Sequence, residues 1–135
     1  MQLQTILKSI TRFTWKAVLV LLLLFGLYTW LVLSWSYSKG ERAGYVQKLS
    51  EKGWLCKTWE GELAMINVPG TLTEKFAFTV RDDATVEKIN RSLGKRVALI
   101  YEQHVGIPNS CFGETGYFVT DVREVQLEAP EAPAQ

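Results

Sequence analysis

The feature that most limits what this chain can fold into is the run from Ala17 to Trp35, nineteen residues (AVLVLLLLFGLYTWLVLSW) without a charge. Wound as an α-helix it spans about 28 Å, close to the hydrocarbon thickness of a bilayer. Lipid offers peptide groups no hydrogen-bond partner, so a lone segment satisfies them only as a helix. Aromatic residues flank the run as they do at membrane interfaces, with Phe13 and Trp15 at one end and Tyr28, Trp30, Trp35 and Tyr37 toward the other. The reading is a transmembrane helix over residues 17–35, with the lipid bilayer as its partner.

Charge orients that helix. Lys8, Arg12 and Lys16 carry all the charge of the first sixteen residues, and Lys and Arg beside a span stay on the cytoplasmic side. Residues 1–16 are therefore expected to form a basic cytoplasmic tail, and the rest of the chain to lie outside the cytoplasm. In a bacterium this means a single-pass inner-membrane protein with a periplasmic domain. The tail, with Leu3, Ile6, Leu7 and Ile10 on one helical face, is read as a helix that continues into the span. A secretory signal peptide is the rival reading: cleavage near Ser36, at Ser34-Trp35-Ser36, would release a secreted domain. The apolar run is longer than the roughly 7–15 residues of such cores, and no Ala-x-Ala follows, which favours an uncleaved anchor. A lone Gly26 supplies no Gly-xxx-Gly for tight helix pairing.

Beyond the span, the chain is long enough for one small domain. From Tyr37 onward there are 12 Lys and Arg against 14 Asp and Glu, a net charge of −2. This lacks the clustered basic face that nucleic acid requires. Residues 36–44, rich in Ser, Gly and charge, read as a juxtamembrane linker, and residues 45–127 as the domain. Tyr45–Leu49 is a first strand, and Trp54–Val68 a second, stopped by Pro69-Gly70. Lys75–Arg81 is the cleanest strand, with Phe76, Phe78 and Val80 facing one way. Val86, Ile89 and Leu93 recur at helical spacing over Ala84–Leu93, with Asp83 as cap and Gly94 as terminator. Strands return at Arg96–Glu102 and Tyr117–Val125, around a long loop from Gln103 to Gly116. The Pro/Ala/Glu tail, 128–135, is expected to be disordered.

Three strands, a short helix and two more strands is the element order of an OB-like five-stranded barrel, with the helix between strands 3 and 4. Closure suits strands that are apolar on both faces, because it removes exposed edges. The alternative is an open α+β sheet with the helix on one face.

The chemistry-bearing residues are few. Cys56 in the second strand and Cys111 in the long loop are disulfide candidates if the compartment is oxidising; the alternative is two unpaired thiols. His104 is the only histidine. Without a second His or a Cys-x-x-Cys it does not make a metal site, and a solvated position in the loop is expected. A Cys111/His104 nucleophilic pair is conceivable, yet no orienting third residue or oxyanion motif accompanies it. The most distinctive stretch is Trp54–Leu63 (WLCKTWEGEL). Lys57 and Trp59 on one strand face, with His104 and Phe112 from the long loop, form a candidate binding face, since OB-folds bind there; alternatively Trp59 simply fills the core. No Gly-x-Gly-x-x-Gly, P-loop, Gly-x-Ser-x-Gly or His-Glu-x-x-His occurs, and no cofactor is implied.

Gly40-Glu41-Arg42-Ala43-Gly44, then Lys57-Thr58-Trp59-Glu60-Gly61-Glu62-Leu63, then Ser110-Cys111-Phe112-Gly113-Glu114-Thr115-Gly116-Tyr117-Phe118-Val119 together resemble a group of small, uncharacterised bacterial single-pass membrane proteins. Some of that group carry a 6-phosphogluconate dehydrogenase label, which this sequence, without the glycine fingerprint or the length, does not support. The resemblance implies no activity and carries over no site residue. The expectation is a membrane-anchored, non-catalytic binding or assembly module with an envelope protein as partner. The alternatives are a small enzyme built on Cys111 and His104, and the secreted domain.

Overall fold

A computed structural model of the chain describes residues 2–65 and 72–126, with the backbone alone for residues 2–9. The Pro69-Gly70 turn and the 128–135 tail expected from the sequence lie outside the described residues. Two compact units result, Met1–Trp35 and Ser36–Gln135.

The first unit is one helix, α1 (Gln2–Ser34). It continues without a break from the basic tail through the apolar run, and its stretch Ile10–Ser34 is long and apolar enough to cross a membrane. Leu21, Leu23, Phe25 and Trp30 are all more than half exposed, which water would penalise and lipid would not. Two threonine hydroxyls inside this stretch turn inward on their own backbone. Thr14 donates to the Thr11 carbonyl at 3.0 Å and Thr29 to the Phe25 carbonyl at 2.9 Å. The expected boundary at Trp35 moves by one residue, because the helix ends at Ser34.

The second unit contains β1 (Ser38–Lys52), β2 (Thr58–Met65), β3 (Lys75–Val80), α2 (Asp83–Arg91), β4 (Arg96–Gln103) and β5 (Tyr117–Glu124). The strand order is β1-β2-β3-β5-β4, and β4 pairs back with β1, so the sheet is a closed barrel without an open edge. All pairings are antiparallel except a short parallel contact of β3 with β5 at Thr79–Phe118 and Val80–Val119.

Residues 36–44 are not a linker, which corrects the sequence reading. Pairing starts at Tyr37, whose N–H donates to the Gln103 carbonyl at 2.8 Å, and β1 begins at Ser38. Ser38 to Tyr45 pair with β4, and Gly44 to Lys52 with β2, across an irregularity between Val46 and Lys48. That bulge lets one long strand bend around the barrel. The glycines mislead because they are there for closeness. A Cβ on Gly40 would lie 2.9 Å from the Tyr101 hydroxyl oxygen. The second strand is also shorter than expected. Residues 54–57 turn outward before β2, leaving Trp54 and Leu55 fully exposed and Cys56 outside the ladder.

Inside the barrel, Val46, Leu63, Phe78, Val80, Val97, Leu99 and Val119 form the core. Alternation along β2 aims Gly61 inward as well, and a Cβ there would run into the Phe78 ring. Glycine at 61 makes room for a phenylalanine at 78. α2 contributes Val86 and Ile89 to the core. Its cap is Asp82 rather than the expected Asp83: the Asp82 carboxylate accepts from the Thr85 N–H at 2.9 Å.

Candidate functional site

The β4–β5 loop, residues 104–116, folds back over the outer face of β2 and β3. Strand alternation puts Glu60 on that outer face, yet Glu60 is only 5% exposed because the loop covers it. Its Oε1 accepts from the Thr58 hydroxyl at 2.8 Å and from the Glu114 backbone N–H at 3.0 Å. Its Oε2 accepts from the Thr79 hydroxyl at 2.7 Å. Thr79 stands opposite Glu60 in the β2–β3 register and is fully buried. The Thr79 hydroxyl oxygen also accepts from the Thr115 N–H at 3.2 Å and lies 3.0 Å from the Thr115 hydroxyl. A buried carboxylate is tolerable when donors surround it, and here three do.

Gly113 is the point of closest approach. A Cβ there would sit 2.7 Å from Phe118 Cε1 and 2.8 Å from Thr79 Cγ2, and its φ of +151° is one that L side chains rarely adopt. The loop is also tied covalently. Cys56 in the β1–β2 turn and Cys111 in the loop form a disulfide, with Cα atoms 5.0 Å apart and a sequence separation of 55.

Where the loop meets the turn, Lys57, Trp59, Arg81 and Phe112 line a cleft of about 270 Å³. Three of the four residues expected on a binding face therefore come together. Trp59 packs against the core and also lines the cleft. Lys57 is weakly held, 3.9 Å from the Glu51 carboxylate, with both side chains exposed.

His104 does not join them, and it is not solvated. It is 7% exposed, its ring centroid lies 5.0 Å from that of Phe118, and Nε2 is 3.8 Å from Glu102 Oε2. The cause lies in the backbone. The His104 N–H donates to the Gly116 carbonyl at 2.7 Å, extending the β4–β5 pairing one residue and turning the imidazole onto the barrel. His104 lines a different and larger groove, about 600 Å³, with Ile107, Asn109 and Tyr117.

These positions bear on chemistry. The Cys111 sulfur is bonded, so no thiol is available there as a nucleophile, and His104 and Cys111 face separate clefts. Among the described residues, no three His, Cys, Asp or Glu side chains converge as a metal-binding group. The buried pair Glu60 and Thr79, with half-buried Thr115 beside it, is what sequence reasoning missed. Its only trace in the sequence is a glutamate within an otherwise barrel-like strand. No protein-family model, curated protein or solved structure matches this chain.

Proposed function

We propose that this chain is a single-pass protein of the bacterial inner membrane whose OB-like domain works in the periplasm as a non-catalytic binding or assembly module for an envelope partner. The observation that carries the reading is the Cys56–Cys111 disulfide in a domain that begins three residues after an apolar helix. Such bonds persist outside the cytoplasm, while Lys8, Arg12 and Lys16 on the other side of the helix favour retention within it. The OB-like reading is supported by the order β1-β2-β3-β5-β4 with α2 between β3 and β4. The cleft that Lys57, Trp59, Arg81 and Phe112 line together with Glu51 and Asp83 is the binding surface we assign, as it combines aromatic faces with charges of both signs beside the β1–β2 turn.

Thiol labelling of intact cells with a membrane-impermeant maleimide tests this. Labelling that appears only after reduction is the expected result. Labelling only after lysis would invert the orientation and overturn the periplasmic assignment. Replacing Lys57 and Phe112 together by Ala, neither of which packs against the core, is expected to abolish co-purification of the envelope partner while the domain stays folded. Undiminished co-purification would remove the cleft from the proposal.

A further inference from the structure

The β4–β5 loop lies across the outer face of β2 and β3, the face through which barrels of the OB-like kind receive ligands. We propose that this loop is a strap closed over that face, and that the Cys56–Cys111 disulfide is its catch, released by a dithiol reductant. The proposal rests on the binding-module reading only for what the uncovered face would then do.

Three observations carry it. First, the covered strip has no part in the barrel interior. Glu60, Thr79 and Phe118 are each 5% exposed or less, although the core is filled by other side chains. Second, the strap's own grip is polar. Its backbone N–H groups at Glu114 and Thr115 bond to Glu60 and Thr79, and a glycine, Gly113, meets Phe118. Water replaces such bonds at little net cost once the strap lifts, and the Glu60 carboxylate regains its hydration. The covalent tie is therefore what decides the balance. Third, the tie is reachable. Residue Cys111 is exposed, and neither cysteine belongs to a strand, so cutting the bond leaves every ladder of the barrel intact.

The chemistry is ordinary thiol–disulfide exchange. One thiolate of the dithiol attacks Cys111 Sγ, the S–S bond breaks, and Cys56 leaves as a thiolate that takes up a proton. The second thiol of the reductant resolves the mixed disulfide and frees Cys111 as a thiol. Two electrons pass to the protein, and the reductant ends as a disulfide.

Amide hydrogen exchange on the full chain in detergent micelles, with and without dithiothreitol, tests this. On reduction the Glu114 and Thr115 amides are expected to exchange at least about tenfold faster than before and to become less protected than those of Leu99 and Val119, which open only with the whole barrel. Unchanged protection at Glu114 and Thr115 would overturn the proposal. Strap amides that after reduction stay as protected as Leu99 and Val119 would overturn it too, because the strap would then open only with the barrel. Glu60→Gln with the disulfide intact supplies the second arm. Its strap amides are expected to stay protected, and exchange as fast as in the reduced native chain would make the carboxylate the catch. No ligand is needed for this readout, so it stands or falls separately from the binding-module reading.

Discussion

Glu60 shows how a single residue is held in a place that its charge disfavours. It is 5% exposed and makes no salt bridge among the described residues, so the three donors from Thr58, Thr79 and Glu114 must replace its water. Removing the acceptor strands those donors under the loop. Glu60→Ala is expected to cost about 2–3 kcal/mol in urea unfolding, and Glu60→Gln clearly less, since an amide oxygen still accepts. Gly113 makes the opposite demand, for absence of a side chain. Gly113→Ala is expected to lower stability by about 1–3 kcal/mol, through strain at φ +151° and collision with Phe118 and Thr79. Gly26→Ala, which meets nothing within 4 Å, is the control expected to leave the domain's unfolding unchanged. Alternation along β2 puts Glu60 on the face opposite Trp59 and Leu63. Its burial was not legible, because its partners Thr79 and Glu114 lie 19 and 54 residues away. His104 was misjudged for the same reason: a polar loop reads as solvated until its backbone pairs with Gly116.

Among the elements, α2 is joined to β5 by charge as well as by Val86 and Ile89. Lys88 Nζ lies 2.9 Å from Asp121 Oδ1, and Lys95, just past the helix, lies 2.6 Å from Glu124 Oε1. The hydrogen bond from Lys88, with one from the Val122 N–H, holds the Asp121 carboxyl below its usual range, and that from Lys95 does the same for Glu124. A carboxyl depressed in the folded state adds stability that is complete above its unfolded value and fades as pH falls through the folded one. Stability is therefore expected to decline below the ordinary carboxylate range, about pH 4, and Lys88→Met with Lys95→Met to flatten that limb in acid unfolding curves. The effect is small because all four groups are exposed to solvent. Which elements were legible follows from side-chain content. β3 announces itself through Phe76, Phe78 and Val80, and α2 through its cap and spacing. The first half of β1 carries Ser38, Gly40, Ala43 and Gly44, which offer little apolar pattern, so only its pairing with β4 identifies it as a strand.

For the molecule as a whole, the order of elements was readable because turns or caps in the sequence separate one from the next, the start of β1 excepted, and the long uncharged run declares the helix. The cysteine pairing was open, since spacing alone does not say which loop reaches which turn. The disulfide closes a separation of 55 residues, and loop-closure entropy gives it about 4 kcal/mol. Cys56→Ser with Cys111→Ser is expected to reduce the unfolding free energy by that order, measured by urea titration in micelles; a change below about 1 kcal/mol would mean that the unfolded chain gains little freedom from the cut. One feature of β1 reaches beyond equilibrium stability. Only three residues separate the end of α1 from a strand that pairs with β4 along its first half and with β2 along its second. A pull along α1 has almost no slack to take up before it reaches β1. It loads the β1–β4 ladder first and the β1–β2 ladder next, and because the sheet closes on itself no free edge offers a place for peeling to begin.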